Sequence, residues 1–185
     1  LISKKDDQKG NYLYGEKELK YLDKIVTKTH VAFFDLEDRK DAIAVLDENG
    51  GRGSGRMKKL SAIRLYSRQE VTDAAGAIFD PSKITGSIIK PIKTAHFVYS
   101  YNICTNIPNN DKSTSLTPNE LSNNGGKLTL EKVYFTYRGS NMGKYTPYTF
   151  NYGSDNQSDN PDYNMKGFDI WGNYKVNPVD SGNIN

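Results

Sequence analysis

The chain has 185 residues, the length of one domain, and 36% of them are hydrophobic at a mean hydropathy of −0.72. This apolar content is low for a free-standing globular domain, and a net charge of +3, from 25 basic and 22 acidic residues, gives no case for a nucleic-acid partner. The single cysteine, Cys104, excludes an internal disulfide, and no apolar run reaches the roughly 20 residues that span a bilayer.

Residues 1–19 are interpreted as a linker or an edge segment. The chain opens with LISKKDDQKG, which has neither an initiator Met nor the pattern of a signal peptide. It closes with NPVDSGNIN, which matches neither a helix nor a strand. Both ends favour an internal piece of a longer polypeptide. A short helix is predicted over EKELKYL, residues 16–22.

A repeated strand motif organises residues 20–152, which we interpret as a module of repeated β-hairpins. Leu, two residues, and then Ile or Val occur at Leu22, at Leu60 and at Leu130. The second interval is close to twice the first, as expected if a middle copy has degenerated or a long loop has been inserted.

In two copies of the motif, the apolar residues switch from one face of the predicted strand to the other. Leu130 and Val133 are an odd number of positions apart, so strict alternation would put them on opposite faces. The change predicts a bulge or bend near Glu131 and Lys132. In the copy that starts at Leu60, the apolar residues switch faces in the same way before residue 63.

Each motif is followed by an aromatic strand. THVAFFDL spans residues 29–36, KTAHFVYSYNI spans residues 93–103, and PYTFNY spans residues 147–152. Aromatic and β-branched residues favour strands because they pack across the pleat. The predicted fold class is therefore mostly β: antiparallel bulged hairpins form a curved sheet with long polar loops and at most one or two short helices.

Three segments rich in Gly, Asn, Ser and Pro are predicted to be long loops, at residues 46–59, 104–127 and 155–164. A helix is predicted over RQEVTDAAGAI, residues 68–78. Residues 153–185 are interpreted as a turn-rich aromatic tail.

The tail contains FDIWGNYK, which predicts a specific turn. Asp169 can accept hydrogen bonds across the turn through its side chain, and Gly172 can supply a positive φ. The pattern Phe168-Asp169-x-x-Gly172-Asn173 resembles the core of YD repeats in Rhs-type proteins, and LDENGG at Leu46 is a looser version.

The hairpin pattern LxxIxLY…FxYxY also looks like the strands of the β-shell in Rhs proteins and insecticidal-toxin-complex B components. The stretch from residue 126 to residue 175 is similar to segments of very large secreted or surface proteins of Bacteroidota. The resemblance covers residues 20–175. It implies a strand-turn-strand scaffold within a giant exported polypeptide, located outside the cell or on its surface, with the export signal elsewhere. Its implied partners are neighbouring modules or other subunits of a surface or secretion assembly, and it brings no catalytic residue and no cofactor.

Metal-binding and nucleophilic sites find little support in the residue types. His30 and His96 fall on predicted strands without the spacing of a zinc site, which favours packed or surface histidines. A hydrolase that uses Cys104 would need a histidine beside its sulfur, and a packed thiol is the default for cysteine.

A calcium loop is considered in the tail, where Asp155, Asp159 and Asp162 supply oxygen donors. The EF-hand frame fails because Asn160 replaces the required Gly and Lys166 replaces the bidentate Glu. A solvated loop is the preferred interpretation.

Basic residues cluster in GGRGSGRMKK, at Arg52, Arg56, Lys58 and Lys59. Such a segment can follow a polyanion, but no aromatic residue interleaves to stack a base. We favour a flexible, soluble hairpin loop.

Six aromatic residues lie within 30 positions of one another near the end of the chain. They can bind a sugar or a protein partner, or they can seal the end of the sheet, with Trp171 covering an apolar edge. We favour the sealing role because the sheet has few aliphatic residues. The six residues are Tyr145, Tyr148, Tyr163, Phe168, Trp171 and Tyr174.

The predicted function is a non-catalytic structural module of a large exported surface or toxin-like protein. The alternative is an adhesin module that binds carbohydrate or protein through the six aromatic residues. Neither alternative includes an enzyme, a cofactor, a nucleic-acid partner or a membrane span.

Overall fold

The computed structural model describes residues 13–111, 125–153, 160–164 and 167–175. They form one open, curved antiparallel sheet whose six strands follow chain order, so the predicted mostly-β class is confirmed. The strands are β1 (Lys24–Val26), β2 (His30–Asp47), β3 (Gly50–Ser67), β4 (Lys93–Ile103), β5 (Lys127–Tyr137) and β6 (Tyr148–Thr149).

The three predicted hairpins are confirmed as the pairs β1–β2, β3–β4 and β5–β6. The strands β2–β3 and β4–β5 pair as well, which makes the sheet a continuous meander.

Both predicted bulges are confirmed. Asp35 pairs with Ala62 while the next residue of β2 pairs with Leu60, which leaves Ser61 as the extra residue. In the same way, Glu131 is the extra residue of β5, because its neighbours on either side pair with consecutive residues of β4. The extra residue thus directly follows the Leu of the motif in both copies.

The predicted loop at residues 46–59 is wrong, because these residues form the distal end of a hairpin of two 18-residue strands. Its glycines allow close contact between strands rather than flexibility. A Cβ atom added at Gly53 would lie 2.7 Å from the carbonyl oxygen of Val45, and one at Gly55 would lie 3.2 Å from the Cβ of Ala44. Positive φ angles at Gly50 and Gly51 form the turn.

The predicted helix over residues 68–78 is also wrong, since only Gln69–Val71 form a single 3-10 turn. The Asp73 carboxylate accepts the backbone N–H groups of Ala75 and Ala77, both at 2.9 Å, and Gly76 has a φ of +84°. These bonds compete with helical bonds and close a turn instead. The predicted helix over residues 16–22 is wrong too, since these residues precede β1 without regular structure.

Two further 3-10 turns, Pro81–Lys83 and Met142–Tyr145, complete the regular structure of the described residues. Of the predicted loops, residues 104–111 and 160–164 are irregular, whereas residues 112–124 and 155–159 lie outside the described part.

The core lies on one side of β2 and β3, which we call the covered face. Val31, Phe33 and Tyr66 are at most 4% exposed there, and the segment between β3 and β4 packs over them through Val71. Ile78 and Ile89 of the same segment complete the cover.

A buried ion cluster crosses this core. The Arg64 guanidinium binds both carboxylate oxygens of Asp35, at 2.6 Å each, and both of Asp80, at 2.8 and 2.9 Å. It also donates to the Tyr66 hydroxyl at 3.0 Å and lies over the Phe33 ring. These contacts use all five N–H donors of the side chain, so Arg64 links β2, β3 and the covering segment.

A second set of contacts bends the distal half of the β2–β3 hairpin over the end of β4 and β5. The Tyr101 hydroxyl accepts the backbone N–H of Lys40, and the Asp41 carboxylate accepts that of Leu128. Ile43 and Ile107 are buried where the two parts meet. The curvature of the sheet is therefore held by contacts between residues far apart in the chain.

We expect Arg64→Met to lower the free energy of unfolding by about 3 kcal/mol, because it removes a buried cation and leaves two partly buried carboxylates without it. Urea denaturation measures the change. The matched control is Arg68→Met, which alters an exposed arginine and should change stability by less than about 0.5 kcal/mol. Equal stability of Arg64→Met and the unmodified chain would contradict the proposed role of the cluster.

Stability should also depend on pH through Asp80. Burial favours its protonated form, but hydrogen bonds from Arg64 and Ser82 outweigh this and lower the pKa of Asp80 to about 2. Because the folded pKa lies below the unfolded value of about 4, stability is present above that value and lost as the pH falls towards 2. We expect protonation of Asp80 to lower the free energy of unfolding by about 2 kcal/mol.

Asp80→Asn should remove this part of the pH dependence in urea titrations between pH 5 and pH 2, at the cost of lower stability at neutral pH. Glu16→Gln, at an exposed position, serves as the control and should leave the profile unchanged. An unaltered profile in Asp80→Asn would count against the assignment.

Candidate functional site

The other side of the sheet carries an apolar surface that remains partly exposed. One row of opposed residues crosses four strands: Phe34 faces Ile63, which faces Ala95, which faces Phe135. Directly opposed residues on paired strands project to the same side. All four are partly exposed rather than buried.

A neighbouring row extends this surface to the sheet edge, where Phe97 faces Val133 and Val133 faces Tyr148. Tyr148 is 66% exposed. We call these two rows the open face; its members are Phe34, Ile63, Ala95, Phe97, Val133, Phe135 and Tyr148. Contiguous apolar surface that stays partly exposed can serve as an interaction site.

The bulges explain how the repeated motif keeps its apolar residues on the open face. Leu130 pairs with Tyr99 and Val133 with Phe97, two positions apart on β4. Because Glu131 is extra, the first and last residues of the motif share a side despite their odd separation. Ser61 has the same effect on the motif that starts at Leu60. The motif is thus the sequence signature of a bulge that keeps apolar residues together.

The two outermost strands of the sheet are short and pair with only part of the long strands beside them. β1 has three residues and β6 has two. Short edge strands limit pairing with other chains.

The histidines and the cysteine do not meet. His96 stacks on the Tyr134 ring, with centroids 4.5 Å apart, and its Nε2 lies 2.8 Å from the Thr136 hydroxyl. Burial lowers the pKa of His96, and Asp35 partly opposes this shift. Cys104 lies eight positions further along the extended chain, roughly 25 Å away at the rise of a strand. His30 is exposed, with its Nδ1 2.8 Å from the Thr29 hydroxyl.

The acidic residues considered for calcium are only partly described. Asp162 contacts the Thr105 hydroxyl and accepts from the Asn106 amide at 2.9 Å. Asp155, Asp159 and Lys166 lie outside the described residues. Within the described ranges, no group of three potential metal ligands occurs.

The four basic residues at positions 52, 56, 58 and 59 all form ion pairs. Arg52 and Arg56 both bind Asp111, at 3.0 and 2.6 Å, and Lys59 binds Glu37 at 3.3 Å. Lys58 pairs with Asp38. This strand is therefore part of an ion-paired structure rather than a flexible basic loop.

The six aromatic residues are all exposed, from 40% at Tyr163 to 81% at Trp171. The expected sealing role is wrong for Trp171, whose ring is too exposed to cover an apolar edge. Tyr145 and Tyr148 lie beside the middle of β5, whereas the Tyr163 backbone is bound to Thr105 beyond the end of β4. The middle of β5 and Thr105 are about 20 Å apart along the direction of the strands.

The predicted turn in the tail is confirmed. Oδ1 of Asp169 accepts the backbone N–H groups of Trp171 and Asn173 at 2.9 Å, and Gly172 has a φ of +84°. Phe168 and Tyr174 close the turn as an antiparallel bridge. Hydrogen bonds, first that from the Asn173 backbone, lower the pKa of Asp169.

Comparison of the chain with protein-family models, with curated proteins and with solved structures finds no match. Within the described residues, no helix has the length and apolar character needed to cross a membrane.

We expect the folded chain to enhance the fluorescence of anilinonaphthalene sulfonate, because the dye binds exposed apolar surface. Phe97→Ser should lower the enhancement about twofold by interrupting the open face, while near-UV circular dichroism reports that the fold is intact. Ile88→Ser, which removes an isolated isoleucine that is 89% exposed, should have little effect. A folded chain that does not bind the dye would contradict an accessible open face.

Proposed function

We propose that the chain is a non-catalytic structural module of a large exported bacterial surface or toxin-like protein of the Rhs/YD type. It extends a β-scaffold by packing its open face against neighbouring modules, outside the cell or on its surface. The observation that supports this most directly is the partly exposed row from Phe34 to Phe135, because an apolar sheet face requires a partner layer.

The use of charge in the molecule also supports a scaffold. Arg64 binds both Asp35 and Asp80 within the covered face, and Asp41 is held by Arg39 and the Leu128 backbone. The contacts of Arg64 and the bond from Leu128 to Asp41 each fix one strand or segment against another. These hydrogen bonds stabilise the curved sheet.

Packing through a face follows from the apolar rows of the open face. The outermost strands, of three and two residues, pair with only part of β2 and β5. Two sheets that pack face to face bury their inner side chains in a layer about 10 Å thick. The module therefore joins its neighbours as one layer of a sandwich-like or shell-like assembly.

Cysteine labelling tests this arrangement. Ala95→Cys, in a Cys104→Ser background, puts a thiol at the centre of the open face. In the isolated chain it should react readily with a maleimide. In the complete polypeptide that contains the module it should react at least about tenfold more slowly, because a neighbour covers it.

Ala74→Cys is the matched control, since Ala74 is exposed on the segment over the covered face. It should react at the same rate in both proteins. Equal reactivity of Ala95→Cys in both proteins would refute packing through the open face.

The second candidate is an adhesin module, and it is favoured by the exposure of all six aromatic residues. Trp171, on the turn held by Asp169, is the most accessible ring of the set. If this set binds glycans, Trp171→Ala should abolish binding on a glycan array, whereas Tyr21→Ala, an exposed tyrosine near β1, should not. Retained binding by Trp171→Ala would reject this platform.

A further inference from the structure

A polar groove lies on the side of β4 and β5 opposite the open face. Its floor includes Ser100 and Thr129, which face each other across the two strands, and Lys132, which faces Thr149 of β6. The segment after β6 forms a wall with Phe150 and Tyr152. The groove has a volume of about 350 Å³, at the lower end of the roughly 300 to 1,000 Å³ of small-molecule sites.

The bulge of β5 shapes this groove. The carbonyl of Glu131, the extra residue, accepts the backbone N–H of Phe150 at 2.8 Å. The preceding carbonyl, that of Leu130, accepts the Tyr152 hydroxyl at 2.8 Å. Both bonds fix the wall against the strand, so its two aromatic side chains are positioned by the backbone. Phe150 and Tyr152 remain 44% and 46% exposed.

Some polar groups of the groove lack a partner within the described residues, whereas the Thr129 and Tyr152 hydroxyls donate to the backbone carbonyls of Lys127 and Leu130. The Oδ1 atom of Asn102 is buried and accepts no hydrogen bond. A buried acceptor without a donor is costly, and a ligand donor that reaches it regains that cost. Glu131 and Lys132 form no ion pair within the described residues.

The chemistry of the lining selects the class of ligand. Hydroxyl, amide, carboxylate and ammonium groups can donate to and accept from a molecule that is rich in hydroxyl groups. The aromatic wall can stack against the C–H face of a sugar ring. Since Glu131 and Lys132 carry opposite charges, the lining favours a neutral ligand over an anion.

We propose that this groove is a binding site for one or two residues of a neutral carbohydrate. The Asn102 carbonyl accepts a sugar hydroxyl, Glu131 and Lys132 bond to further hydroxyls, and Phe150 stacks on the ring. The site involves none of the six aromatic residues considered for the adhesin and does not depend on the packing of the open face.

The test is titration of the isotopically labelled chain with maltose, cellobiose, lactose and N,N′-diacetylchitobiose, followed by amide NMR shifts. At least one disaccharide should cause saturable shifts at Ser100, Thr129 and Thr149 by about 10 mM. Because the ligand is neutral, added sodium chloride should not weaken binding.

Variants locate the site. Asn102→Ala and Phe150→Ala should each weaken binding at least about tenfold, while Ile88→Ala and Trp171→Ala leave it unchanged; the amide spectrum of each variant reports whether it is folded. If Asn102→Ala does not fold, Phe150→Ala and Lys132→Ala carry the test. The proposal is overturned if no disaccharide shifts these amides, if the shifts centre on Trp171, or if folded groove variants bind as well as the unmodified chain.

Discussion

The ion cluster around Arg64 is the constraint on which the covered face depends. A guanidinium that is only 9% exposed must have every donor satisfied, and here two carboxylates and a phenol do so. Asp35 comes from β2 and Asp80 from the segment over the core. The cluster therefore determines where that segment lies, and the small core of Val31, Phe33, Tyr66 and Val71 forms around it.

The covering segment also gives the two sides of the sheet different roles. Over β2 and β3 one side is covered by the chain itself, while the open face keeps its aromatic and aliphatic rows partly exposed. The bulges at Ser61 and Glu131 link these features, since they keep apolar residues on the open face and increase the bending of the strands. At Glu131 the same irregularity also forms the wall of the polar groove on the opposite side.

The strand pattern made much of this fold predictable. Alternating aromatic residues predicted β4, and the switch of faces inside the Leu-x-x-Ile/Val motif predicted both bulges to within one residue. The Asp169 turn was predictable because its partners lie two to four positions away. The wrong predictions at residues 46–59 and 68–78 have one cause. The glycine and polar residues of the first segment, and the mixed pattern of the second, are compatible with several local backbone structures. Contacts with distant parts of the chain select among these structures.

By itself, the sequence determined the strand periodicity, the bulges and the tail turn, because each depends on neighbours within a few positions. Only the tertiary structure decided which charges pair, since Arg64 meets Asp35 across 29 positions and Arg56 meets Asp111 across 55. It also decided which sheet face is covered and that Asn102, Glu131 and Phe150 share one groove. No local pattern contains these pairings, because they arise when strands from distant positions come together in a single register.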